Sequence, residues 1–286
     1  MFVTGGRGFL GRSLLTCLNG RDVLCLSRDG GVVPAGARVV DGDLATPGPW
    51  QQAVVDFAPD WCMHLAWDGL PDYSLARCRA NLDANVALME TLVRARVKRV
   101  VVAGTCWEYG RVTGPQREDA APVEPGLFAS TKHSIRTLLD GVAREAGFDY
   151  RWARVFFAYG PGQRGGSLIP HLRASLAAGQ TPSLREPHAV QDFIHVDDVA
   201  RGLVALAECD APSGVFNLGS GEPTSVGEIA NRVATHYGRP PVSGAGARAG
   251  GFWADLTRTR RLAGWEPRIG LAEGIRTTLQ AMDVAA

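Results

Sequence analysis

The sequence lacks a strong excess of charge of either sign. Its 30 Lys and Arg residues nearly balance its 29 Asp and Glu residues, which leaves a formal net charge of +1. A protein that binds nucleic acid or an acidic membrane surface usually shows a basic excess in such totals. The balance therefore argues against both as principal partners.

Long hydrophobic runs and closely spaced cysteines are also absent. The longest apolar segments are the length of a strand, whereas a membrane-spanning helix needs about 20 apolar residues. Met1 leads almost directly into a glycine turn, with no secretion signal before it. The six cysteines form no Cys-x-x-Cys pair, which argues against a metal site or a disulfide framework. We expect a cytoplasmic protein without a membrane segment.

Short apolar runs alternate with segments of helical spacing through the first 160 residues. The apolar runs cover 1–4, 22–26, 38–40, 61–65, 99–103 and 150–156. The helical segments between them cover 9–18, 49–57, 80–95 and 130–146. Continuous apolar strands are typical of parallel sheets buried on both faces. The alternation therefore predicts an α/β fold with a doubly wound parallel sheet.

The rhythm changes after a glycine-rich link at about residue 160. A helix at 167–178, a strand at 192–196, a helix at 197–208 and a strand at 215–218 follow, before a loop at 238–251 and two closing helical pieces. We predict a first domain over 1–160 and a smaller C-terminal cap over 161–286, from which about 188–218 returns to the main sheet. Such a cap would cover the sheet edge where open α/β sheets bind ligands.

A glycine turn directly follows the first strand and opens the first helix. Gly6-x-Gly8-x-x-Gly11 fits the dinucleotide fingerprint, and Gly5 adds a further glycine in front. Glycines let the backbone approach a pyrophosphate, and the helix N-terminus behind them supplies unpaired N–H groups. The turn predicts a Rossmann-type dinucleotide-binding first domain. Its cofactor contacts are predicted to be Gly5, Gly6, Arg7, Gly8, Phe9, Leu10 and Gly11.

The end of the second strand indicates which dinucleotide is bound. An acidic residue there would bind the ribose 2′-hydroxyl of NAD, but this strand ends in Ser27-Arg28. Arg28, together with Arg7 in the turn, is suited to a 2′-phosphate. The sequence therefore favours NADP(H), with NAD as the alternative.

With these motifs in place, the chain resembles the extended short-chain dehydrogenase/reductase family. These enzymes are NAD(P)-dependent epimerases, dehydratases and ketoreductases of nucleotide sugars. The resemblance implies that Asp43 and Leu44 approach the adenine, that Leu65 and Ala66 also contact the cofactor, and that the chain is a homodimer through the helices at 80–95 and 130–146. It rests on 4–11, Asp43-Leu44, His64-Leu65-Ala66, Asn81, Gly104-Thr105, Tyr109-Gly110, Ser130-Thr131-Lys132, 159–162, 192–199 and 217–221.

The family's catalytic set is a Ser or Thr at the end of the fifth strand and a Tyr-x-x-x-Lys on the next long helix. Four residues place both side chains on one helix face, where the lysine ammonium favours the phenolate. Thr105 matches the first position and Lys132 the lysine, which also holds the nicotinamide ribose. The tyrosine position is occupied by Phe128, and a phenyl ring cannot transfer a proton.

Four interpretations of Phe128 stay open. It is an engineered change that traps substrate, or the natural residue of a variant that uses another acid. A water held by Thr105 is a third source of the proton, and a scaffold that binds without catalysing is the fourth interpretation. The other acids are Tyr109, Cys106, Glu108 and His133.

The residues after Thr105 bear on the reaction. The family's dehydratases tend to place Asp-Glu there, whereas this chain has Cys106-Trp107, which argues against sugar dehydration. We predict an enzyme that reduces a keto group on a nucleoside-diphosphate sugar with NADP(H). The alternatives are an NAD-dependent epimerase and a non-catalytic nucleotide-sugar or cofactor binding protein. The predicted substrate contacts are Trp67, Cys106, Trp107, His171, Arg185 and Arg248, and Tyr73 is a further aromatic residue that could shape the pocket.

Overall fold

The computed structural model describes residues 1–31, 33, 36–243 and 249–284. The strands are β1 Phe2–Thr4, β2 Leu24–Ser27, β3 Arg38–Asp41, β4 Trp61–His64, β5 Arg99–Thr105, β6 Gly114–Gln116, β7 Asp149–Val155, β8 Phe157–Tyr159, β9 Ala189–His195, β10 Gly214–Leu218, β11 Pro223–Ser225 and β12 Ala249–Ala254. The helices are α1 Phe9–Cys17, α2 Pro49–Phe57, α3 Leu75–Arg94, α4 Leu127–Ala146, α5 Leu168–Ala177, α6 Val196–Glu208, α7 Val226–His236, α8 Thr257–Ala263 and α9 Leu271–Val284.

The larger sheet has seven strands in the order β10-β7-β5-β4-β1-β2-β3, and every neighbouring pair is parallel. The chain runs outward from β1 to β3 and then returns to β4 on the other side of β1. This reversal opens a crevice at the carboxyl ends of the central strands, where open α/β sheets bind ligands. The predicted Rossmann-type doubly wound fold is confirmed.

Helices cover both faces of this sheet, as its continuous apolar strands require. On one face, α1 and α6 contribute buried residues such as Leu14 and Leu203 to a core with Val3 of β1. On the other face, α2, α3 and α4 bury residues such as Leu88 and Ile135. The strands and helices are thereby held rigidly beneath the loops at the sheet's carboxyl edge.

The smaller sheet forms the cap. It has the order β11-β9-β12-β6, with β8 paired to β9, and α5, α7 and α9 share a separate core with it. The strand predicted at 192–196 was expected to return to the main sheet, and this expectation is wrong. The buried carboxylate of Asp192 accepts hydrogen bonds from the backbone N–H groups of Ser220, Gly221 and Ala254, which tie β9 to the cap.

Other parts of the segment 188–218 do belong with the main sheet. β10 is its edge strand, and α6 packs beside α1. In the opposite direction, β6 belongs to the first 160 residues and pairs with β12 of the cap. We keep the division near residue 160 as a proposal, with one strand exchanged each way.

Among the described residues, no helix is long and apolar enough to span a membrane. No group of three or more His, Cys, Asp or Glu side chains in that part of the chain is placed to hold a metal ion. All six cysteines are free thiols.

Candidate active site

A cleft of about 550 Å³ opens at the carboxyl ends of β1, β2 and β4. It runs past the glycine turn and the N-terminal half of α3. Of the predicted cofactor residues in the turn, Phe9, Leu10 and Gly11 do not line it. Those that do line it are Gly5, Gly6, Arg7, Gly8, Ser27, Arg28, Asp43, Leu44, Leu65 and Ala66.

The glycine turn is a cradle that side chains would fill. Gly5 has φ +74°, and a Cβ there would lie 2.7 Å from the backbone nitrogen of Ala66. A Cβ on Gly11 would lie 2.1 Å from the carbonyl oxygen of Gly5, so Gly11 serves close packing of turn and helix. No side chain caps the N-terminus of α1. Its backbone N–H groups therefore suit the pyrophosphate of a dinucleotide.

Two arginines at the end of β2 are paired with carboxylates. Arg28 donates to Asp68 at 2.6 Å, and Arg7 forms an ion pair with Asp29. Asp29 also accepts a hydrogen bond from the Ser27 hydroxyl at 3.0 Å. The cleft mouth thus carries balanced charge, and a phosphate placed here would compete with these carboxylates for the guanidinium groups.

The end of β5 is fixed by a buried carboxylate. Glu108 accepts from the backbone N–H of Thr105 at 2.9 Å and from the indole of Trp152 at 2.8 Å. It also pairs with Arg154 at 3.2 Å. The Thr105 hydroxyl accepts from the backbone N–H of Trp107 at 3.3 Å. Its own proton remains available for an acceptor in the site.

Lys132 is buried on α4 beside this strand end. Its ammonium donates to the carbonyl of Ala103 at 2.9 Å and lies 4.7 Å from the ring centre of Trp67. Burial lowers the pKa of Lys132 to about 8, although the charge of Glu108 opposes the shift. The lysine is thus held in the place that the family pattern gives it.

Four aromatic rings surround position 128, and we call Trp67, Tyr73, Trp107 and Phe128 the aromatic cluster. The ring centre of Phe128 lies 4.8 Å from Trp67, 5.1 Å from Tyr73 and 5.9 Å from Trp107. Tyr73 and Trp107 are 5.6 Å apart. Trp67 also lines the cofactor cleft, so the cluster continues directly from it. Sequence spacing had not indicated that Tyr73 contacts Phe128.

Three of the alternative acids lie in the core. The Tyr109 hydroxyl donates to Asn217 at 2.7 Å, and burial raises the pKa of this tyrosine to about 12. Glu108 is fully buried in its ion pair. Cys106 was also a predicted substrate contact, and here the structure requires a correction. Its side chain is only 3% exposed and packs among apolar residues, because the short turn after β5 directs it inward, and burial raises its thiol pKa.

The remaining candidates lie apart from the aromatic cluster. His133 follows Phe128 by five residues on α4, which places it about 140° around the helix. His171 and Arg185 are exposed on the cap, and no contact found in the described ranges joins them to the cluster. Arg248 lies outside the described residues.

The fold and this cleft define a dinucleotide-binding α/β enzyme scaffold. The model of the "NAD dependent epimerase/dehydratase family" matches residues 1–219. The chain belongs to this family, and the expected resemblance is confirmed.

The relatives modify nucleotide sugars in different ways. The chain is 31% identical to a dTDP-6-deoxy-L-talose 4-dehydrogenase (NAD(P)(+)) of Kitasatospora kifunensis, over 99% of this chain and 95% of that protein. It is 25% identical to a dTDP-L-rhamnose 4-epimerase of Burkholderia thailandensis, over 96% of this chain and 92% of that protein. Among solved structures, MoeE5 in complex with UDP-glucuronic acid and NAD superposes with a TM-score of 0.86 at 32% identity, covering 100% of this chain and 99% of MoeE5.

Proposed function

We propose that this protein reduces a keto group on a nucleoside-diphosphate sugar with NADP(H). The observation that carries the proposal is the position of Trp67. It lines the cofactor cleft and contacts both Lys132 and Phe128. One continuous site therefore holds the cofactor cradle, the lysine and the aromatic cluster next to Thr105.

The residues of the chain divide the work. The glycine turn would hold the pyrophosphate, Asp43 would approach the adenine, and Lys132 would bind the nicotinamide ribose. When bound, the cofactor supplies hydride to the carbonyl carbon. The Thr105 hydroxyl would donate a hydrogen bond to the carbonyl oxygen and stabilise the negative charge that develops there. The aromatic cluster would exclude water from the reacting carbon, and His171 and Arg185 remain proposed contacts for the nucleotide.

NADP(H) is proposed because the end of β2 offers cations and no acidic residue of its own. Arg28 and Arg7 would bind the 2′-phosphate by exchanging their present carboxylate partners for it. The first-named relative, whose name gives NAD(P)(+) as its cofactor, is consistent with a site that accepts a phosphorylated ribose.

A second candidate function is epimerisation with tightly held NAD. The observation that favours it is the 2.6 Å pair between Arg28 and Asp68, which leaves no uncompensated charge for a phosphate. This function predicts that NAD co-purifies with the protein. Mass spectrometry of a natively purified sample would separate the two candidates.

The direct test is single-turnover reduction of a 4-keto sugar nucleotide at saturating NADPH. Thr105→Val should lower the rate by about 10²–10³, the usual effect of losing one oxyanion donor. Thr105→Ser, the matched control, should retain most of the rate because it keeps the hydroxyl.

The nucleotide can be tested separately by thermal denaturation with five nucleoside diphosphates. A ligand at a hundred times its Kd adds about 2.7 kcal/mol of apparent stability. One base should stand out. Absence of a shift with all five, with cofactor present, would contradict the sugar-nucleotide substrate, and binding without turnover would indicate a non-catalytic protein.

We also propose a homodimer through α3 and α4. These helices pack side by side and expose apolar residues, with Val86 38%, Val93 39% and Leu138 46% exposed. Analytical ultracentrifugation should give twice the chain mass, and a monomer at micromolar concentration would contradict the proposal.

A further inference from the structure

We propose that Tyr73 is the proton donor in place of the missing tyrosine at position 128. The inference rests on the proposed function, because a donor is needed only if a carbonyl is reduced. It starts from one contact: the Tyr73 ring centre lies 5.1 Å from that of Phe128, with the planes inclined by 50°. A phenol is therefore present beside the position where the family pattern places one.

The other tyrosines are occupied elsewhere. The sequence contains five, and the hydroxyls of Tyr109, Tyr150 and Tyr237 are hydrogen-bonded to other side chains. Tyr159 is buried in the core of the cap. Tyr73 is thus the tyrosine that contacts Phe128, and within the described residues no side chain or backbone group forms a hydrogen bond with its hydroxyl.

The loop before α3 holds this ring from two sides. The ring packs between Phe128 and Trp107, 5.1 and 5.6 Å from their centres. The next residue, Ser74, caps α3 by accepting from the backbone N–H of Arg77, and the Cys78 thiol donates to the Tyr73 carbonyl at 3.7 Å. The backbone on the helix side is therefore anchored, which fixes the phenol at the edge of the cluster.

The surroundings also allow the proton to be replaced. Tyr73 is only half-buried, so water reaches its side chain. In the step, hydride from the reduced cofactor forms the new C–H bond and the carbonyl π electrons move to oxygen. That oxygen takes the proton of the Tyr73 hydroxyl, and the phenolate regains a proton from water. No further oxidant or reductant is needed.

The test compares Tyr73→Phe with the unaltered protein in single-turnover reduction of a 4-keto sugar nucleotide by NADPH. The variant keeps the ring and its packing, so we expect the rate to fall by about 10²–10⁴, the usual contribution of a general acid. Isothermal titration should show unchanged dissociation constants for NADPH and for the nucleoside diphosphate. Tyr237→Phe, which also removes a phenol hydroxyl but on the cap surface, should react at the original rate.

Rescue by a second change makes the assignment specific. Phe128→Tyr added to Tyr73→Phe should restore most of the lost rate, because it returns a phenol to the family position one helical turn before Lys132. A Tyr73→Phe variant that reacts as fast as the unaltered protein would overturn the role of Tyr73 alone. An unaltered protein that binds both ligands and never reacts would overturn the proposed function together with it. Loss of ligand affinity in Tyr73→Phe would show a binding role and overturn proton donation.

Discussion

The two ends of the active-site cleft are built from different materials. At the cofactor end, the glycine turn shapes the surface with backbone atoms, and paired charges such as Arg28–Asp68 rim it. At the substrate end, four aromatic rings meet around Phe128, and the Thr105 hydroxyl lies next to them. The first surface suits a ligand with a fixed phosphate geometry. The second surface depends on rings from three separate segments, so its specificity can change without affecting the cofactor cradle.

The strongest way to break this comparison is to add one methyl group to the cradle. Gly11→Ala would place a Cβ 2.1 Å from the Gly5 carbonyl oxygen, and the turn must then move. Overpacking of this kind costs about 3 kcal/mol, so we expect cofactor affinity to fall by a factor on the order of 10². Fluorescence titration with NADPH measures the loss.

The matched control for this change is Gly141→Ala on α4. A Cβ there meets nothing within 4 Å, and alanine is a better helix former than glycine by about 1 kcal/mol. Cofactor binding should be unchanged and the protein slightly more stable. Equal cofactor affinity in the Gly11 and Gly141 variants would contradict a backbone-shaped cradle.

A smaller effect is expected at the charged rim. Arg28→Ala should weaken NADPH binding by about 1–3 kcal/mol, the value of one charged hydrogen bond, and leave NADH binding nearly unchanged. Titration of both cofactors measures the difference. If the unaltered protein binds NADPH and NADH equally, the proposed preference is wrong. A preference that survives the substitution would instead assign the 2′-phosphate to Arg7.

The smallest effect concerns the pH dependence of stability through Lys132. Its folded pKa of about 8 is below the ordinary lysine value of 10.5, so between these values the unfolded chain binds a proton that the folded protein has released. Stability should therefore rise with pH through this window, by at most about 1.4 kcal/mol per pH unit. Urea denaturation at several pH values should show this rise, and Lys132→Met should remove it.

The only other lysine provides the control. Lys98 is exposed and pairs with Asp60 at 2.7 Å, and this contact raises its pKa rather than lowering it. Lys98→Met should leave the rise of stability between pH 8 and pH 9 in place. A Lys132→Met variant with the same pH profile as the unaltered protein would show that the lysine is not desolvated as described.

Local sequence patterns predicted the main sheet because its strands are apolar on both sides and its helices are periodic. They were less informative in the cap. The polar residues Gln191 and Asp192 interrupt β9, and whether such a strand joins one sheet or the other depends on partners far along the chain. Those partners, the backbone N–H groups near residues 220 and 254, cannot be identified from local periodicity.

The site shows the same limit. The spacing of Gly6, Gly8 and Gly11 describes one continuous turn, so sequence alone indicated the cradle. The aromatic cluster joins side chains from the loop after β4, the turn after β5 and the start of α4. Aromatic residues at strand ends were the available signal, but only the three-dimensional packing shows that Tyr73 reaches Phe128. Likewise, the carboxylate partner of Arg28 lies 40 residues away.

The exchanged strands make the order of synthesis matter. β7 can be covered on its outer edge only by β10, which ends at Leu218, while β6 waits for β12 near the end of the chain. A nascent chain that stops at residue 160 would therefore expose an unpaired strand edge, the kind of surface that recruits other chains into aggregates. Fragments cut at the domain boundary should be poorly soluble alone, and fusion partners belong at the termini rather than in the link between the two halves.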